Sequence, residues 1–294
     1  MSTGRWLLAF SLLLLLLGNA ARGEVSATNR PWPGIEWFSE TRVEPPNRLF
    51  VAIIDLTRPG LDLRVSPGGP DPDGGGPWQT TLMRPTDIAA RDGLALVVNG
   101  DFFRVPAADD PVRTNTVLRA ATWTAVSGPA ASQGKTWSAS PRPVPCLVVS
   151  REGKVAFRTL AQPGPEDWEV MAGNTMLVRD GQALPAQNKV RHPRTAVGLD
   201  ANATRLIVLV VDGRKPGVAL GMNYDELAAE LIRLGCHEAL NLDGGGSSLM
   251  AVRDTHGGYQ ILNAPTDGRE RAVASALGIA LHPSVSGAPA SPDR

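Results

Sequence analysis

Only two cysteines, Cys146 and Cys236, occur in the 294 residues. That excludes a disulfide framework and leaves room for one bridge at most. There is no surplus of charge of either sign, since 29 Lys and Arg stand against 29 Asp and Glu. A nucleic-acid binder needs a basic excess to neutralise phosphates, so no nucleic-acid partner is expected. The four histidines, at 192, 237, 256 and 282, are scattered, and neither cysteine has a partner nearby, which argues against a zinc site. Lysine is scarce too: 25 of the 29 basic residues are arginine, a planar fork suited to carboxylate or phosphate. Long apolar runs are missing as well. The run from Trp6 to Leu17 is too short to span a bilayer comfortably and no later segment approaches that length, so no stable membrane span is expected.

What is present begins with an address. Arg5, the apolar run and the small residues Gly18, Ala20, Ala21 and Gly23 form the pattern of a secretory signal over residues 1–23, an uncleaved anchor being the alternative. A protein exported to the periplasm or beyond the cell, starting near Glu24, is the expectation. Residues 24–48, rich in Pro and Trp, read as an irregular lead-in, and residues 283–294, rich in Pro, Ser and Ala, as a frayed tail. Between them, 49–282 reads as one domain. Its mix of 43% hydrophobic and 20% charged residues can bury a sizeable core.

Within that domain, Leu49–Leu56 and Leu61–Val65 read as strands joined at Pro59-Gly60, and the Gly/Pro-rich stretch 67–77 as a loop. A helix is expected over 85–92, capped at or near Thr86 and stopped by Gly93. The stretch 104–145 reads as loops around one or two strands. Asp180-Gly181 marks a hairpin turn. Asn223 followed by Glu226 is a capping-box start, with Leu227, Leu231 and Leu234 at helical spacing and Gly235 as the stop. Leu206–Val211 and Ala239–Leu242 look buried on both faces. The fold class expected is α+β, a mixed β-sheet core with a few helices and a catalytic cleft at the strand ends.

Three strand ends carry chemistry. Asn241-Leu242-Asp243-Gly244-Gly245-Gly246-Ser247-Ser248 places a carboxylate before a glycine turn whose free N–H groups could cradle an anion, with two hydroxyls beside them. No Gly-Lys-Ser/Thr follows, so this is not a nucleotide P-loop. Val211-Asp212-Gly213-Arg214 adds a second carboxylate and a guanidinium, and Asn99-Gly100-Asp101-Phe102-Phe103 a third cluster, although at least one of the two phenylalanines suits the core. His192 lies between Arg191 and Arg194, where an anion could sit. Paired carboxylates serve glycoside cleavage, whereas arginines and amides serve phosphate. Together they suggest a sugar–phosphate linkage. Trp123 and Trp137 could be sugar-stacking platforms, although core packing is the commoner use of tryptophan.

These motifs, in this order, resemble the phosphodiester glycosidase family. The resemblance runs through Asn99-Gly100-x-Phe102-Phe103, Pro193-Arg194-Thr195-Ala196-Val197-Gly198, Asp212-Gly213-Arg214, Gly221-Met222 and the helix carrying Glu226. It continues through Asn241–Ser248 and Asn263-x-Pro265-x-Asp267-Gly268-x-x-Arg271-x-Val273, so that it covers about 50–281. Residues 104–165 depart from the family pattern, and Asp101 stands where some members carry glycine. The resemblance implies an exported hydrolase acting on a sugar-1-phosphodiester of a phosphorylated glycan or envelope polysaccharide. Asp243 and Asp212 would handle protons, with Glu226 and Asp101 as further candidate carboxylates. Asn99, His192, Arg194, Arg214, Asn241, Gly244, Gly245, Gly246, Ser247, Ser248 and Arg271 would bind substrate or phosphate. No cofactor is expected, although Asp101, Asp212 and Asp243 could together hold one divalent cation. The other readings are a non-catalytic phosphoglycan-binding module and an endo-acting exopolysaccharide depolymerase.

Overall fold

A computed structural model describes residues 23–109, 118–185 and 188–282; residues 1–22 of the expected signal segment and the expected tail lie outside the described residues. Among them are twenty-two strands and two α-helices, so the protein is mostly β rather than evenly mixed. Every strand pairing is antiparallel. This corrects the expectation of a mixed sheet, and the reason is visible in the strand Arg205–Val211. Leu206, Val208 and Val210 point into the main core, while Ile207, Leu209 and Val211 point into a second cluster with Tyr224, Leu227, Ala228 and Leu231 of the helix Tyr224–Arg233. A helix laid on the outer face buries an antiparallel strand on both sides, which erases the polar alternation of a half-exposed one.

The largest sheet has nine strands, in which Ile35–Val43, Pro46–Asp55, Arg205–Val211, Arg194–Leu199, Glu238–Asn241 and Thr175–Arg179 are neighbours in that order. Its first strands come from residues 24–48, which therefore are not an irregular lead-in. Ile35–Val43 pairs with Pro46–Asp55 along its whole length, and Trp32 and Ile35 are buried in the main core. The proline and tryptophan content hid a strand whose aromatic side chains pack inward.

The main core is shared with a five-stranded sheet ordered Tyr259–Ile261, Met250–Arg253, Leu94–Asn99, Ser275–Leu281 and Leu61–Pro67. The strands on either side of Pro59-Gly60 thus belong to different sheets, and the turn carries the chain between them. The helix Pro85–Asp92 covers this sheet's outer face through Ile88 and Ala89, against Leu94 and Val97. Proline opens it and Gly93, in the left-handed region at φ 66°, ends it. Thr86 does not cap it; its hydroxyl donates to Glu270 at 2.6 Å. The second helix has its capping box between Asn223 and Glu226, as the spacing predicts. The turn at Asp180-Gly181 closes a hairpin, with both residues at positive φ.

A second five-stranded sheet consists of Lys135–Ser138, Ala130–Ser132, Asp167–Ala172, Val144–Ser150 and Val155–Leu160, and its first two strands lie in the stretch 104–145 where loops around one or two strands were expected. Cys146 lies buried here and Cys236 in the cluster beneath the second helix; both are free thiols, and burial pushes each up to about 12. Neither is poised to react.

One buried acid ties two of the sheets together. Glu169 accepts hydrogen bonds from the N–H groups of Val65 (2.9 Å) and Gln133 (3.1 Å), with Arg64 at 3.6 Å. Burial raises it to about 7, against the partial relief of those two donors and of Arg64. An acid whose pKa is higher folded than unfolded holds its proton better in the native state. Its contribution is therefore complete below the unfolded value near 4.5 and is lost as pH rises through about 7. We expect the urea midpoint to fall between pH 5 and 8, with Glu169 accounting for a change on the order of 3 kcal/mol. Glu169→Gln, followed by urea titration across that range, should remove this share of the dependence and leave that of the other buried acids.

Candidate active site

The site forms where strands from both halves of the sandwich end side by side. Asn99 ends Leu94–Asn99, Thr195 lies near the start of Arg194–Leu199, and Asp243 follows Glu238–Asn241 by two residues. The Asn99 side chain is fully buried among them. Its Nδ2 donates to the Asp243 carbonyl at 2.7 Å. Its Oδ1 accepts from the Thr195 hydroxyl at 2.7 Å and from the Leu249 N–H at 3.1 Å. Two backbone bonds complete the seam, Asp243 N–H to Gly100 O and Leu242 N–H to Thr195 O. Asn99 thus holds the glycine loop at both ends, with its amide donor and acceptor spent inside the protein.

The glycine turn is built differently from the anion cradle that its composition suggests. Gly245–Ser247 is a short 3-10 turn. The Gly244 N–H donates to its neighbour's carboxylate, Asp243 Oδ1, at 2.8 Å, and the Gly245 N–H to Pro193 O at 2.9 Å. The N–H groups of Ser247 and Ser248 close the turn onto Gly244 and Gly245. Most donors are therefore spent inside the protein. What the glycines provide is room for cations. A Cβ at Gly246 would stand 1.9 Å from the Arg271 guanidinium, and one at Gly245 would stand 3.1 Å from that of Arg214. Only residues without a side chain let two guanidinium groups lie on this turn.

Asp243 lines a cavity of about 310 Å³ together with Ser247, Arg271, Phe102, Phe103 and Arg104. Burial raises its carboxyl to about 6; the Ser247 hydroxyl, the Gly244 N–H, Arg271 and Arg214 all act the other way. Behind it Asp101 is buried at 5% exposure, its Oδ2 accepting from the Gly128 N–H at 2.8 Å and its own N–H donating to Ser275 Oγ at 3.1 Å. Burial, and to a lesser degree the negative charge of Asp243, raise Asp101 to about 8. Two interacting carboxyls thus titrate near 6 and near 8, and at neutral pH they hold one proton between them. Arg271 pairs with Asp267 at 2.8 Å, whereas Arg214 rests against His192 at 3.3 Å and pairs with no carboxylate among the described residues. Burial and the neighbouring Arg214 and Arg194 lower the pKa of His192, which keeps it neutral.

Several expected site residues stand elsewhere. Asp212 is buried away from the cavity, its carboxylate accepting from Asn263 Nδ2 and the Ala264 N–H at 3.1 Å each. Asn263 in turn bonds Ser248 O and the Met250 N–H, so Asp212 braces the far end of the glycine turn. Glu226 is used up by the capping box and by Arg191, at 3.0 Å. Arg194 is buried, donating to Met222 O and Val190 O at 2.8 Å each and lying 4.5 Å over the Tyr224 ring. Asn241 is buried in a network with Asn174 and Tyr224. Asp212, Arg194 and Asn241 took their place in the expectation from adjacency to strand ends, which does not tell an inward side chain from an outward one, and Glu226 from the helix that the resemblance includes. Among the described residues no three His, Cys, Asp or Glu gather closely enough to hold a metal, so Asp101, Asp212 and Asp243 do not form a triad. Arg104, Val105 and Leu118, which complete the cavity, were missed, because no polar motif in the local sequence marks them.

Comparison with known proteins matches the family described as phosphodiester glycosidase over residues 92–280. The fold is similar to the zebrafish N-acetylglucosamine-1-phosphodiester alpha-N-acetylglucosaminidase catalytic domain, auto-inhibited by its pro-peptide, with TM-score 0.63, 20% identity and 91% of each chain covered. It is also similar to a putative exported protein from Burkholderia pseudomallei K96243, with TM-score 0.55, 17% identity, and 92% of this chain and 88% of that one covered. In sequence it is 37% identical over 109 residues to the SPbeta prophage-derived uncharacterized protein YomE of Bacillus subtilis (strain 168), covering 35% of this chain but only 16% of that protein.

The Asn99 seam makes a stability prediction. Asn99→Ala removes one donor and one acceptor from a dry junction and leaves Thr195, Leu249 and the Asp243 carbonyl unpaired. A loss of about 2–4 kcal/mol is expected, measured by urea denaturation, because each orphaned buried group costs about 1–3 kcal/mol.

Proposed function

Because this chain belongs to the phosphodiester glycosidase family, we propose that it hydrolyses a sugar-1-phosphodiester, releasing the sugar from a phosphorylated glycan or envelope polysaccharide. The signal-like residues 1–23 support an exported enzyme. The observation that carries the reading is the Asp243 carboxylate, set in one cavity with Arg271 and Ser247 and backed by a carboxyl that stays neutral.

In this reading Asp243, ionised above about pH 6, takes a proton from water as the oxygen attacks the anomeric carbon. The bond between that carbon and the phosphate oxygen breaks, and a phosphomonoester leaves. Such a leaving group is a weak base and calls for charge stabilisation more than for a strong acid. Arg271 supplies that charge from the cavity wall and Arg214 from across the glycine turn. Asp101, protonated up to about pH 8, adds no second negative charge beside the departing phosphate. Once ionised it would repel both the phosphate and Asp243. Asp212, Asn99 and Glu226 hold the loop and the helix in place rather than touching substrate.

Hydrolysis of a sugar-1-phosphodiester by the purified protein should follow a bell-shaped kcat/KM profile, with limbs near 6 and 8 set by the carboxyl pair. Asp243→Asn should lower kcat by about 10²–10⁴-fold, the usual worth of a positioned acid or base, with the fold intact by circular dichroism. Near-wild-type turnover in that variant would sink the assignment. Run in ¹⁸O water, the reaction should place the label in the released sugar; label in the phosphate would mean attack at phosphorus instead.

A further inference from the structure

A second cavity, of about 550 Å³, opens between the loop 67–77 and the strand Lys135–Ser138, lined by Trp137, Gln79, Asp71, Lys135 and Ser138. Its size falls within the range of ligand pockets. Its chemistry differs from that of the first cavity. One acid and one base, Asp71 and Lys135, face it, so neither an anion nor a cation is favoured. Trp137 contributes a half-buried ring, held by its Nε1 donating to Ser132 Oγ at 2.9 Å and by packing against the core. The Gln79 side-chain oxygen is buried without a hydrogen-bond partner among the described residues, an acceptor that calls for a hydroxyl or amide donor. A ring face, an orphan acceptor and balanced charge together suit a neutral sugar, which offers an apolar C–H face and several hydroxyls.

The two cavities are neighbours. Arg104, on the wall of the Asp243 cavity, lies 4.8 Å over the Trp78 ring and donates to Pro77 O at 3.4 Å, and residues on either side of Pro77 and Trp78 line the second cavity. Phe103, Val105 and Leu118 pack on the same buried cluster as Trp137. Further back, the Ser138 hydroxyl donates to Gly128 O, and the Gly128 N–H donates to Asp101. We infer that the Trp137–Gln79 cavity is a saccharide subsite, binding an uncharged sugar unit of a glycan whose phosphodiester lies at Asp243. Its role as a subsite rests on the hydrolase reading; its binding of sugar does not.

The test separates the two. Neutral tetrasaccharides (cellotetraose, maltotetraose and chitotetraose) are titrated into the full-length protein by calorimetry, with tryptophan fluorescence as a second readout. At least one should bind and perturb the emission. Trp137→Ala and Gln79→Ala should each weaken that binding roughly tenfold or more, a change of the size expected for losing one well-placed contact. Because Trp137 also packs on the core, Lys135→Ala, at an exposed position, serves as a second probe and should weaken binding without loss of fold. Asp243→Asn should bind the tetrasaccharide as the wild type does. On a small sugar-1-phosphodiester with no glycan extension, Gln79→Ala should keep the wild-type kcat and KM, and on an extended one its KM should rise. If none of the three sugars binds, or if the Trp137 and Gln79 variants bind them unchanged, the subsite is overturned. Binding that is retained in a protein without any hydrolase activity would leave the cavity as a sugar site and remove both the hydrolase and the role as a subsite.

Discussion

The site depends on one buried amide. Asn99 is the point at which two sheets of the sandwich, and both ends of the glycine turn, are held in register, because a single side chain offers a donor to Asp243 and an acceptor to Thr195 and Leu249. Asn99, Thr195 and Leu249 are all buried, so the alignment is enforced by the cost of leaving any of these groups unpaired. Asp212 does the same for the other side of the turn, through Asn263 to Ser248 and Met250. With both sides braced from the interior, the turn can give up side chains at three successive positions and still keep one shape.

That shape settles the electrostatics. A buried carboxyl would ordinarily lose its charge, and Asp101 does so. Asp243 is raised less, because the turn brings its own N–H and two guanidinium groups near it. The glycines matter through what they allow to approach, not through an array of free amides. Arg271 is held by the Asp267 carboxylate, whereas Arg214 has only an imidazole beside it and carries the charge less compensated by its neighbours.

Around this centre the sandwich supplies two kinds of wall. The cavity at Asp243 is charged and small, while that at Trp137 is balanced in charge and larger, and the Arg104–Trp78 stack stands between them. A phosphorylated polysaccharide presents the same alternation, an anionic linkage next to neutral sugar rings. The strands that form both walls come largely from residues 103–138, a stretch whose sequence carries no polar motif of its own after Phe103.

Local chemistry made much of this protein readable from its sequence. The capping box at Asn223, the stop at Gly93, the Asp180-Gly181 hairpin and the apolar strands follow from short-range hydrogen bonding, backbone freedom and burial, which a few residues specify among themselves. Asp243 was legible for a similar reason, since a carboxylate between a buried strand and three glycines is unusual in composition alone. The reach of each polar side chain was not legible. Asp212, Arg194, Asn241 and Asn99 share the strand-end setting of Asp243, yet they point into the protein, where most of their partners come from 17 to 150 residues away. The antiparallel order of the sheets was hidden in the same way, because a covering helix and a second sheet give a strand the same apolar pattern. Which strands are neighbours, which amide is spent on the scaffold and which carboxyl keeps its charge depend on contacts between distant segments, and those exist only once the sheets have packed.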